Sequence, residues 1–149
     1  MSENEKVHWD DSYKLGIKRV DDEHKKLFEL VNKLYELEDT SGVKEEIRKI
    51  LYEFSDYTVV HFRDEEEFME SISYPHLQEH KVIHQEIIES LSKIIHTPAN
   101  LRIIKSKMRI VAKRVLIEHI INEDMKISQY ILDNPSEDIE IDLEGIDKL

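Results

Sequence analysis

The chain has 149 residues, no cysteine and a net charge of −12. That length suits one domain with a real core, and the acidic balance disfavours nucleic acid or an anionic membrane as partner, because both select clustered Lys and Arg. Without cysteine there are no disulfides, thiolate ligands, iron–sulfur clusters or Cys catalysis, and the polar opening MSENEK with no membrane-length apolar run leads us to expect a cytoplasmic protein.

Gly and Pro number only three each, so breaks are few, and no Gly-rich phosphate loop or G-x-S-x-G elbow is present. The breaks fall at EDTSGV (38–43), SISYPH (71–76) and IHTPAN (95–100), leaving four long polar–apolar stretches. The first carries Val20, His24, Leu27, Val31 and Leu34 on one stripe. The second carries Ile47, Leu51, Phe54, Thr58, His61, Glu65 and Phe68. The third carries Leu77, His80, His84, Ile87, Leu91 and Ile94, and the fourth Ile104, Met108, Val111, Val115 and His119. Steps of three and four are the seam period of antiparallel bundle helices. The spacing therefore predicts an all-α, up-down-up-down four-helix bundle over residues 1–134, with an N-terminal arm. Strand-like alternation is confined to SEDIEIDLEGIDKL at the end. Residues 135–149 read as an acidic C-terminal tail, free or laid against the bundle, or as a strand offered to a protein partner or a homo-oligomer.

His24, His61, Glu65, His80, His84 and His119 occupy seam positions where apolar residues belong. In an up-down bundle the start of the first helix, the end of the second, the start of the third and the later part of the fourth share one end. The six side chains are thus expected at one level. Any one buried histidine is commonly a satisfied core residue. Five with a carboxylate need compensation, because burying unpaired charge is expensive, and a metal centre supplies it.

Residues i and i+4 lie about 6 Å apart on one helical face, which suits ligands to one metal or to neighbouring metals. Imidazole and carboxylate without sulfur favour iron, with zinc or manganese as alternatives. Two six-coordinate ions offer about twelve positions, and five histidines, two bridging carboxylates and a bridging hydroxide fill about eleven of them. That count asks for a second carboxylate in HIINED (119–124). Helical geometry nominates Glu123, at i+4 from His119, whereas Asp124, at i+5, is rotated about 140° away.

His24, HFRDE (61–65), YPHLQEHKVIH (74–84) and HIINED (119–124) together resemble the hemerythrin family in its bacterial form. The opening W…Y.LGIKRVDDEHKKL (9–27) is similar to that family's arm and first helix, so the resemblance covers residues 7 to 132. It implies two iron ions bridged by a hydroxide or oxide. His80, His84 and His119 would bind one, His24 and His61 the other, and Glu65 and Asp124 would bridge. The resemblance thus selects Asp124 over Glu123. It passes over His76, which with His8 and His96 is expected at a cap or on the surface. It leaves the run RDEEE a mostly solvated face with Glu65 as its inward member.

Dioxygen is the ligand this resemblance implies, taken up at the iron of His24 and His61. Leu27, Phe62, Val115, Leu116 and Ile120 resemble the family's oxygen-pocket lining, although inward apolar residues are equally expected as ordinary core. Many members carry Trp four residues before the last-helix histidine; here that residue is Val115 and the only Trp is Trp9. The implied function is reversible dioxygen binding for storage, delivery or scavenging. Two other classes use the same residues: an oxygen or redox sensor acting through a partner, and a peroxide- or nitric-oxide-consuming enzyme, which a wider pocket at Val115 would favour.

Overall fold

The computed structural model describes residues 6–97 and 99–135, without the side chain of Val115. The four expected helices form: α1 (Lys18–Tyr35), α2 (Val43–Ser71), α3 (Leu77–His96) and α4 (Leu101–Ala112). The fourth does not stop there. It runs through π-helical segments Lys113–Glu118 and Ile120–Asp124 into α5 (Met125–Asp133). α1 packs on α2, α2 on α3, α3 on α4, and α4 back on α1, so the bundle closes. The described residues contain no strand. The tail expected at 135–149 lies outside them beyond Pro135.

Local chemistry sets the helix ends. Asn100 caps α4, its side chain accepting from the Ile103 amide at 3.0 Å. Gly42, at φ +84°, supplies the left-handed residue that opens α2. α2 closes in a Schellman turn: the Tyr74 amide donates to Met69 O at 2.9 Å and Ser73, at φ 54°, donates to Glu70 O at 3.1 Å. That turn sends the chain straight back as α3, which sets His80 and His84 beside His61 and Glu65.

The apolar faces meet in one core that includes Leu27, Leu34, Phe54, Met69, Leu91, Met108, Leu116 and Ile120. Phe68, Leu77 and Val111, expected on the seam, are only partly buried. A strict seam repeat drifts by about 20° per heptad on a straight helix, and near the end of α2 the core position passes to Met69. The N-terminal arm is fastened by polar bonds. Asn32 exchanges two hydrogen bonds with the Val7 backbone at 2.9 and 2.8 Å. Trp9 packs edge-on against Tyr13 and Phe28. The buried Asp21 carboxylate accepts from the Leu15 and Gly16 amides at 2.8 and 3.2 Å. Ser128 Oγ, on α5, donates to Leu15 O at 2.7 Å, so the arm also ties down the end of the fourth helix.

Candidate metal centre

His24, His61, Glu65, His80, His84, His119 and Asp124 converge, and each is 5% exposed or less. His24 comes from α1, His61 and Glu65 from α2, and His80 and His84 from α3. His119 and Asp124 come from the π-helical stretch of the fourth helix. They fall into two groups that could each hold a cation: Glu65 with His80, His84, His119 and Asp124, and Glu65 with His24 and His61.

All five rings turn Nε2 inward, and the carboxylates divide their oxygens between the groups. Glu65 Oε1 lies 2.9 Å from His80 Nε2 and 3.1 Å from His84 Nε2. Its Oε2 lies 3.6 Å from His24 and 3.4 Å from His61. Asp124 Oδ1 lies 2.9 Å from His80 and 3.1 Å from His119, while Oδ2 lies 3.2 Å from His24. Each carboxylate spans both groups.

Several of these approaches are close without being hydrogen bonds. Glu65 Oε2, both Asp124 oxygens and His61 Nε2 are buried with no hydrogen-bond partner among the described residues. His84 Nε2 and His119 Nε2 stand 3.1 Å apart, and two such nitrogens can share at most one proton between them. Buried lone pairs aimed at common points are what a cation satisfies, and neutral imidazole with carboxylate is a donor set for iron, zinc or manganese. The residues fit a metal.

The protein's own charges favour a cation here. Burial opposes charge on His61, yet Glu23 and Glu65 push it up to about 10. Burial opposes charge on His80 too, and Asp124 and Glu65 likewise push it up to about 10. His24 is also raised: burial and His61 pull it down, but Asp124 and Glu65 outweigh them. Burial would raise Glu65, but the four histidines around it hold it well below the usual carboxylate range. Asp124 is held low by His119 and His24 against burial and the repulsion of Glu65. Both carboxylates stay ionised.

Glu23 and Glu66 belong to the site although sequence reasoning passed over them. Glu23, on α1, lies 2.8 Å from His61 Nδ1, and Glu66, on α2, lies 2.8 Å from His84 Nδ1. Each carboxylate fixes the ring so that Nε2 points inward. Each sits next in sequence to a member of the cluster but serves a histidine on the following helix. Adjacency to His24 and Glu65 was the only signal. RDEEE is therefore not simply a solvated face around Glu65, since Glu66 orients a ring.

The geometric choice of Glu123 fails. Its side chain is partly exposed and lies 3.6 Å from Lys126 Nζ, outside the cluster. The i→i+5 bonding of a π-helix brings residues five apart into line, and that places Asp124 under His119. His76, His8 and His96 are exposed, His76 at the N-cap of α3. Of the expected pocket residues, Leu27, Phe62, Leu116 and Ile120 are buried. Phe62 stacks on His84, with centroids 3.7 Å apart and planes 3° from parallel. The side chain of Val115 lies outside the described residues.

The family model of the hemerythrin HHE cation binding domain matches residues 15–131. A bacteriohemerythrin of Clostridium acetobutylicum is 40% identical over 86 residues, covering 56% of this chain and 67% of its own length. One from Campylobacter jejuni is 34% identical over 112 residues, covering 74% and 84%. The myohemerythrin of Theromyzon tessulatum is 34% identical over 122 residues, covering 82% and 91%. A crystal structure of a hemerythrin mutant superposes with a TM-score of 0.72 at 25% identity, over 83% of this chain and 95% of that one.

Proposed function

The chain belongs to the hemerythrin family, and from that premise we propose that it takes up and releases dioxygen at a non-haem di-iron centre. The observation that carries this reading is the division of the Glu65 and Asp124 oxygens between the two histidine groups. His80, His84 and His119 would hold one ion, His24 and His61 the other, and the two carboxylates would bridge. The group of His24 and His61 offers one imidazole fewer than that of His80, His84 and His119, so dioxygen would be taken up on the His24–His61 side. Held by these residues, a pair of ferrous ions would supply the reversible two-electron chemistry that dioxygen uptake requires.

The chain's own side chains prepare the rest. Glu23 and Glu66 hold the Nδ1 protons of His61 and His84, which keeps the Nε2 lone pairs aimed inward. Leu27, Phe62, Leu116 and Ile120 are buried and apolar, Phe62 stacks on His84, and such a lining would exclude water that competes for the site. Five neutral imidazoles against two carboxylates make a ligand shell poor in negative charge, which supports reversible binding over oxygen cleavage. No described helix is long and apolar enough to cross a membrane.

The test is optical. The protein is loaded with ferrous iron without air, exposed to air, and purged with argon while the visible spectrum is recorded. A band that forms in air and fades under argon is expected. A band that decays irreversibly, or failure to retain iron, overturns the reading.

A further inference from the structure

A surface ion pair stands directly behind His61. Arg19, on α1, lies one turn before Glu23, and Asp64, on α2, lies one turn after His61. Arg19 Nη2 is 2.8 Å from Asp64 Oδ1, the length of a charge-assisted hydrogen bond. Its Nε is 3.9 Å from Glu23 Oε2, within ion-pair reach. The other oxygen of that carboxylate, Oε1, is 2.8 Å from His61 Nδ1. Arg19 is 66% exposed, whereas the side chains of Glu23 and Asp64 are 13% and 15% exposed. A cation at the surface is thus joined to a ring of the centre through one half-buried glutamate.

Two carboxylates side by side repel, the more so where water is scarce. Glu23 and Asp64 are near enough to perturb each other's ionisation, and Arg19 is the cation that lies against both. Without it, the simplest relief is for Glu23 to swing away from Asp64 toward water. That movement releases the Nδ1 proton of His61, and with it the fixed direction of Nε2. Resting on the reading of His61 as a metal ligand, the geometry points to Arg19 as a positioning residue. By offsetting the repulsion between Glu23 and Asp64 it keeps Glu23 against the His61 ring, and so sets from the surface the aim of His61 Nε2 into the centre.

Little fold stability is at stake in this pair. Exposed ion pairs contribute little, and α1 and α2 share an apolar core that includes Leu27, Leu34, Phe54 and Phe62. Lys33 and Glu53 form a second pair between the same two helices, at 3.9 Å, and neither belongs to the inward cluster. Lys33→Ala therefore removes a cation of the same kind from the same helix without touching Glu23, and serves as the control.

The effect is read first by NMR on the full-length, metal-free protein at one fixed pH, where the Nδ1 protons of His61 and His84 report on Glu23 and Glu66. In Arg19→Ala the His61 proton is expected to exchange with water several-fold faster. The His84 proton, held by Glu66 at 2.8 Å, and the melting temperature should not change, and Lys33→Ala should alter neither proton. Adding Asp64→Asn to Arg19→Ala removes the repulsion that Arg19 offsets, and should restore most of the protection at His61. A purely structural role for the ion pair predicts no such rescue. With zinc as the probe, chelator competition should show one bound ion held several-fold less tightly in Arg19→Ala and recovered in the double variant. Unchanged exchange at His61, equal acceleration at His61 and His84, or a loss that Asp64→Asn deepens overturns the proposal. Should the unaltered chain bind no metal, the di-iron reading fails, while the proton measurement still decides whether Arg19 positions the ring.

Discussion

His119 Nε2 and Asp124 Oδ1 lie 3.1 Å apart although five residues separate them. In an α-helix that step turns the second side chain well away from the first. Here the fourth helix is π-helical over Ile120–Asp124, and the wider turn brings Asp124 back into line. The expected consequence is a sharp contrast between neighbours. Asp124→Ala removes the carboxylate that faces His24, His80 and His119, and iron binding should weaken at least tenfold. Glu123→Ala should retain the iron of the unaltered chain. Metal analysis after gel filtration reads the difference, and equal losses in both variants would contradict the assignment.

Glu66→Gln probes orientation rather than ligation. Its carboxylate lies 2.8 Å from His84 Nδ1 and makes no approach to the inward cluster. An amide can still accept from the ring but no longer contributes negative charge. Metal affinity is expected to fall about 10- to 100-fold with the fold intact. Competitive chelator titration measures this, with circular dichroism as the control. Glu23→Gln should act the same way through His61.

How much of this was legible follows from the period of each element. α1, α2 and α3 keep ordinary helical spacing, so the inward set of His24, His61, Glu65, His80 and His84 followed from counting threes and fours. The fourth helix departs from that period at Lys113, and counting then selects Glu123, which points at Lys126 instead. Family resemblance recovered Asp124 because a motif records the outcome of the π-turn without describing it. Glu23 and Glu66 were harder. Their partners lie 38 and 18 residues away, and no local pattern distinguishes an orienting glutamate from a solvated one.

Loading the site should release protons. Carboxylates push His61 and His80 up to about 10, so at pH 7 both are protonated when no cation competes. Ligation requires the neutral ring, and a bound cation displaces those protons. The sign follows: apparent affinity rises with pH through the neutral range and falls as the solution becomes acidic. Folding stability without a cation has the opposite slope, because these raised values contribute stability that is full below about 6.5 and lost as pH climbs toward 10. Zinc or ferrous titration in a weakly buffered solution, followed with a pH indicator, should show net proton release. A pH-independent affinity would mean that the two rings are already neutral.

Asp21 isolates the part played by the N-terminal arm. Burial raises its carboxyl, and the Leu15 and Gly16 amides that donate to it work against that rise. Asp21→Ala leaves both amides without their acceptor in a buried setting. Each unsatisfied amide costs about 1–3 kcal/mol, less whatever water regains on entering. The same change frees Leu15, whose carbonyl accepts from Ser128 and so connects the arm to α5. Denaturant unfolding should therefore show a loss of about 2 kcal/mol or more. The melting of α5 should move with it, because the arm is one of its few polar attachments outside the core. If stability falls while hydrogen exchange in residues 125–133 is unchanged, the arm stabilises α1 alone and the Ser128–Leu15 bond transmits nothing.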